Sequence, residues 1–124
     1  MKAHNVTAIS DGFSTLAKRA NESLGSFDES LIGMGMYVPG SSPWEKHNKG
    51  DELLYVTDGE VRIEVLEDSG ESLIEHLMEG SLFVVPRCKW HQLTATDNVN
   101  ILYISPSEDS VKRQPEHPIE KRDT

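Results

Sequence analysis

The spacing of apolar positions changes character about a quarter of the way along the chain. Near the N-terminus, residues 6–9 read as a short strand, and Asp11 is placed to cap a helix. Phe13, Leu16, Ala17, Ala20 and Leu24 then recur at intervals that line one helical face. Gly25 follows, where a helix C-terminus favours a residue of positive φ. From Leu31 onward the spacing is that of strands. Residues 31–38 form an apolar run interrupted by Gly33 and Gly35, and residues 52–57 form another strand. Val61, Ile63 and Val65 alternate with Glu60, Arg62 and Glu64, the pattern of a strand with one buried and one wet face. Residues 72–78, 82–85, 90–95 and 99–104 complete the strand series.

Turn chemistry separates these runs. Asp58-Gly59 is a strong hairpin signal. Glu67-Asp68-Ser69-Gly70, Glu79-Gly80 and Asp97-Asn98 break the chain again, and Pro39-Gly40-Ser41-Ser42-Pro43 reads as a loop. Many short strands with frequent turns predict an all-β sandwich or barrel. The organisation expected is a strand and helix extension over residues 1–30, a barrel over 31–105, and a polar tail over 106–124. The tail carries Pro106, Pro115 and Pro118 among many charges, so it is expected to bury little and to drape over the surface.

Composition narrows the function classes. The chain has 124 residues and a formal net charge of -9, with no more than two adjacent basic residues anywhere. A nucleic-acid partner is therefore not expected, because phosphate contacts need clustered Lys and Arg. No apolar stretch approaches the length of a membrane span, and residues 1–10 lack the apolar core of a secretory signal. The single cysteine, Cys88, excludes an intramolecular disulfide. A cytoplasmic protein is the expectation.

Two segments carry candidate chemistry. One runs from Gly40 through Glu45, His47 and Glu52 to Gly59. The other runs from Gly80 through Pro86 and Cys88 to His91. Together they resemble the paired motifs of the cupin superfamily, in its small single-domain branch. His47, Glu52 and Gly59 match the first motif, and Gly80, Pro86 and His91 match the second. The resemblance covers roughly residues 31–105. Three positions depart from it. Glu45 stands where the family has the first histidine of its His-x-His pair, Cys88 where it has a glycine, and Ala95 where it has a terminal asparagine.

The resemblance implies a jelly-roll β-barrel, here with a short N-terminal helix. It also implies a divalent metal ion held by His47, Glu52 and His91, with Glu45 a further candidate ligand. An imidazole–carboxylate set suits iron, manganese, nickel, zinc or copper. Strand periodicity fits this picture. Residues 45 and 47 point to one side of a strand, and His91 shares its register with Leu93 and Ala95. Glu45 reads equally as a metal ligand or as the salt-bridge partner of a lysine. If no metal neutralises them, Glu45 and Glu52 repel, which raises the pKa of one unless Lys46, Lys49 or Arg87 reaches them. Cys88 reads as a passive turn residue. Trp44 and Trp90 read as packing residues before mouth residues, and Tyr55 and Tyr103 fit either core or cavity.

Small cupins commonly pair through their sheets, so the resemblance also implies a homodimer, with residues 31–38 a candidate interface. Three functional readings follow. The first is a metalloenzyme (a dioxygenase, isomerase or lyase) acting on a small polar molecule. The second is a metal-free cupin that binds or senses a small-molecule ligand without catalysis. The third is a structural dimer with an inert barrel. Fold alone does not choose among them.

Overall fold

The computed structural model describes residues 1–16, 18–107 and 111–118. Among the described residues, one helix, α1 (Val6–Phe13), precedes eleven strands. In chain order these are β1 (Ala20–Phe27), β2 (Ser30–Tyr37), β3 (Gly40–Ser41), β4 (Trp44–His47), β5 (Glu52–Asp58), β6 (Glu60–Leu66), β7 (Ser72–Met78), β8 (Leu82–Val85), β9 (His91–Ala95), β10 (Val99–Pro106) and β11 (Val111–Gln114). They form two antiparallel sheets packed face to face. One has the order β1-β2-β10-β5-β8. The other has the order β11-β4-β9-β6-β7, with β3 paired to β9.

The strand series from residue 31 onward lies where alternation and turn chemistry place it. Gly59 closes the β5–β6 hairpin with φ 84°. A Cβ there would meet the Asn98 carbonyl oxygen at 2.6 Å, so the turn admits only glycine.

The N-terminal expectation is corrected. Residues 6–9 are helical, because the Asn5 side chain accepts the Ala8 N–H and caps α1. Val6, Ile9 and Phe13 then pack on Met34 and Met36 of β2. Residues 20–24 are strand, paired to β2 from Ala20↔Met36 onward, and Gly25 marks a bulge in that pairing. The helical spacing of Phe13, Leu16, Ala20 and Leu24 thus belonged to two elements, while Ala17 lies outside the described residues.

The tail also differs from expectation. Val111–Gln114 adds a strand to the edge of β4, and Trp44 is buried against His117 at 4.9 Å between ring centroids. Backbone pairing, not side-chain burial, places this segment, so its polar composition did not reveal it. Residues 108–110 and 119–124 of the expected tail lie outside the described residues. The proposed interface strand, β2, is internal to its sheet, with β1 on one side and β10 on the other.

The space between the sheets is filled on one flank and open on the other. The filled flank holds Val56, Val61, Ile63, Val65, Leu77 and Val85, drawn largely from β5 to β8. The open flank is a cavity of about 570 Å³ lined by residues of β1 to β5, β9, β10 and β11, with Val61 alone from β6. No described helix is long and apolar enough to cross a membrane.

Candidate metal centre

Three ionisable side chains meet at the boundary between the two flanks. Glu52 opens β5 and lies opposite buried Val85 of β8. His91 opens β9 and lies opposite buried Val65 of β6. His47 closes β4, and its carbonyl accepts the Cys88 N–H at 2.7 Å. Each side chain is thus held by a strand whose neighbours are packed, which fixes its direction.

Cys88 makes that last bond with φ 65°. This left-handed conformation explains why a glycine suits the position, and why a cysteine there is a turn residue. Its neighbour Arg87 donates its N–H to the Asp51 side chain at 2.9 Å, which ties the turn before His91 to the turn before Glu52.

The three groups are close enough to share one ion. One donor atom from each of His47, Glu52 and His91 lies within 4.8 Å of the others. His47 Nε2 stands 3.4 Å from Glu52 Oε2, and His91 Nε2 stands 3.2 Å from Glu52 Oε1. Two ligands about 2.1 Å from a metal at tetrahedral or octahedral angles are themselves roughly 3.0–3.4 Å apart. The imidazoles stack with centroids 5.5 Å apart and planes inclined at 27°, both edges facing the carboxylate. His47 and His91 are 6% and 3% exposed.

The polar bookkeeping inside this cluster favours a cation. Among the described residues, the buried Nδ1 of His47 has no hydrogen-bond partner, and its buried Nε2 has only the longer 3.4 Å approach to the Glu52 carboxylate. Buried polar atoms are rarely left so. The Nδ1 of His91 faces the Lys89 carbonyl at 3.2 Å. A carbonyl only accepts, so Nδ1 carries the proton and a neutral His91 offers its Nε2 lone pair toward Glu52. A carboxylate-facing lone pair calls for a proton or a metal between them. An outer-shell carbonyl that sets the tautomer of a ligating histidine is a recurrent feature of metal sites.

Without a metal the cluster draws protons. Burial pushes the Glu52 carboxyl up, but the two imidazoles outweigh it and hold the pKa near 2. Burial pushes the His91 imidazole down, and the Glu52 carboxylate outweighs that, leaving His91 raised. The repulsion expected between Glu45 and Glu52 therefore does not raise Glu52. Glu45 lines the same cavity, but its Oε2 accepts from Arg113 Nε at 3.2 Å. The partner comes from β11, where Arg113 lies directly opposite Glu45. Lys46 instead stands over the Trp90 ring at 5.0 Å.

The sequence leaves Tyr103 open between core and cavity and gives no sign of Tyr37 or Arg19, and all three line the cavity. Gly33 and Gly35, which seemed only to weaken β2, provide room for two tyrosines. A Cβ on Gly33 would collide with the Tyr103 hydroxyl, and one on Gly35 would stand 3.0 Å from the Tyr37 ring. Tyr103 donates to Asn21 Oδ1 at 2.8 Å, and Arg19 lies over the Tyr37 ring at 5.3 Å. Alternating small and aromatic residues on facing strands was the available signal.

A two-layer β-sandwich with a two-histidine, one-carboxylate cluster at the edge of an internal cavity defines the class. The family model of the cupin domain matches residues 34–105. The chain belongs to the cupin family. No curated protein matches it. Among solved structures it is similar to a cupin-2 domain containing protein from Shewanella frigidimarina, at 22% identity over 80% of this chain and 92% of that one, with a TM-score of 0.65. A cupin superfamily protein from Desulfitobacterium hafniense matches at 22% identity, over 74% of this chain and 80% of that one, with a TM-score of 0.60. Oxalate decarboxylase from Bacillus subtilis matches at 19% identity and a TM-score of 0.63, over 77% of this chain and 27% of that one. At these identities the likeness establishes the fold.

Proposed function

We propose that this cupin is a metalloenzyme that holds a divalent transition metal on His47, Glu52 and His91 and acts on a small polar molecule in the adjoining cavity. The observation that carries the reading is the convergence of the buried His47 and His91 Nε2 atoms on the Glu52 carboxylate, with one donor atom of each residue within 4.8 Å of the others. The donor set fits a metal such as iron, manganese, nickel, zinc or copper and leaves positions open for a ligand. When bound, such a metal supplies Lewis-acid or redox chemistry, which spans dioxygenase, isomerase and lyase reactions. The residues of the chain orient the site: the Lys89 carbonyl sets the His91 tautomer, and Glu52 stands between both imidazoles. Glu45 is a second carboxylate and a fourth candidate ligand, held back by Arg113 and available as a ligand or a base when that pair opens.

A metal-free binding cupin is the second reading. It is favoured by one observation: Glu52 lies within ion-pair distance of both imidazoles, so the cluster compensates itself when they are protonated. Elemental analysis of tag-free protein separates the two. Near-stoichiometric metal in the wild type, lost in His91→Ala, is the expected result. No metal after incubation with iron, manganese, nickel, zinc and copper salts would select the metal-free reading.

We also propose that the chain works in the cytoplasm as a homodimer, with residues 31–105 as its barrel. Leu82 and Val84 on β8 are 61% and 48% exposed. They extend the outer row of Leu53 and Tyr55 on β5, which a second copy can cover. The single cysteine suits a reducing compartment.

A further inference from the structure

Four charged groups other than histidine line the cavity: Arg19, Glu45, Glu52 and Arg113. Three are accounted for. Glu45 and Arg113 neutralise each other across β4 and β11, and Glu52 faces the two imidazoles. Arg19 is left, with no ion pair among the described residues. It stands just before β1, and the pairing of Ala20 with Met36 sets it beside Tyr37.

Tyr37 is the second unspent group. Its ring lies along the inner face of β2 over Gly35, and its hydroxyl makes no hydrogen bond among the described residues. Burial raises its pKa, with the Glu52 charge adding to the rise and Arg19 opposing it. The phenol therefore stays a proton donor at any ordinary pH, within electrostatic reach of the metal cluster. A half-buried phenol and an exposed guanidinium that lies over its ring, with no ion pair among the described residues, place two sets of hydrogen-bond donors on the same cavity lining. With a divalent ion on the cluster the lining is net positive, in a chain whose overall formal charge is -9.

We propose that Arg19 and Tyr37 form a carboxylate-recognition corner, so that the cavity takes a small organic acid. Its carboxylate pairs with the Arg19 guanidinium and accepts from the Tyr37 hydroxyl, while its far end lies at the His47–Glu52–His91 cluster. The position of that far end rests on the metalloenzyme reading; the corner itself does not. A guanidinium and a hydroxyl converging on a carboxylate give charge-assisted hydrogen bonds, stronger than neutral ones. The cavity of about 570 Å³ is ample for such a molecule.

The test is calorimetric titration of metal-loaded and metal-free protein with malonate, succinate and glutarate, and with their neutral diamides. Metal content is measured in parallel. At least one diacid binds, and its diamide binds about tenfold or more weakly, as loss of a charge-assisted contact implies. Arg19→Gln weakens the diacid by a similar factor, Arg19→Lys restores part of it, and Tyr37→Phe weakens it several-fold. None of the three variants changes metal content or diamide affinity. Arg19-dependent diacid binding by protein that takes up no metal would keep the corner and refute the metalloenzyme reading. Equal affinity for diacid and diamide, an unchanged Arg19→Gln, or no binding by any diacid would overturn the corner whatever the metal content.

Discussion

The two flanks of the sandwich solve opposite problems with the same strands. On the flank of β6, β7 and β8, the core between the sheets is apolar, with Val61, Ile63, Val65, Leu77 and Val85 buried, and Ile63 and Val56 have no exposed surface. On the flank of β1 to β4 and β11, inward positions are glycine, tyrosine, histidine and charged residues around a cavity. β5, β9 and β10 serve both. Along β5 the inward sequence is Glu52, Leu54, Val56, and along β9 it is His91, Leu93, Ala95. The difference shows how one small core supports a polar site. The filled flank supplies the stabilisation and backs the cluster, so that the open flank can leave donors such as His47 and Tyr37 unmatched.

The comparison is broken most severely from the dry side. Ile63→Ala is expected to lower the unfolding free energy by about 2–5 kcal/mol, measured by urea denaturation, because Ile63 is fully buried among apolar side chains that relax only partly around the void. Metal content of the folded fraction stays unchanged. On the open flank, Gly33→Ala is expected to lower stability by about 1–3 kcal/mol through overpacking against Tyr103. The loss is smaller in a Tyr103→Phe background, and thermal melts of the four proteins give the coupling.

Protons sharpen the contrast. In metal-free protein the lowered Glu52 contributes stability that is present above its ordinary value of 4.5 and lost as pH falls toward 2. The raised His91 contributes stability present below 6.5 and lost as pH rises through its folded value. The metal-free cluster is thus most stabilising between pH 4.5 and 6.5. Metal competes with the His91 proton, so affinity climbs as pH rises above 6.5. Thermal melts with and without metal across this range check both signs, which run opposite ways. The smallest effect is at the mouth. Arg113→Ala is expected to change stability by less than about 1 kcal/mol, because its pair with Glu45 is substantially exposed.

The barrel and the cluster were legible in the sequence for specific reasons. Alternation in Val61, Ile63 and Val65 marks a strand without outside help, and Asp58-Gly59 permits little except a hairpin. His47, Glu52 and His91 stand at motif spacing because each must begin or end a strand facing one point. The N-terminus was misread because Phe13 and Leu24 share a helical spacing while packing on β2 from two different elements. Arg19, Tyr37 and Arg113 were not legible as cavity residues. Their roles depend on which strands pair, β1 with β2 and β11 with β4. No local pattern carries that information.

The central claim is that the boundary between the flanks holds a metal. Anomalous scattering from crystals grown with manganese tests it most directly. The account predicts one strong peak bounded by His47 Nε2, the Glu52 carboxylate and His91 Nε2, absent in His91→Ala. An ordered cavity with no peak there, or a peak held by other residues, would contradict it.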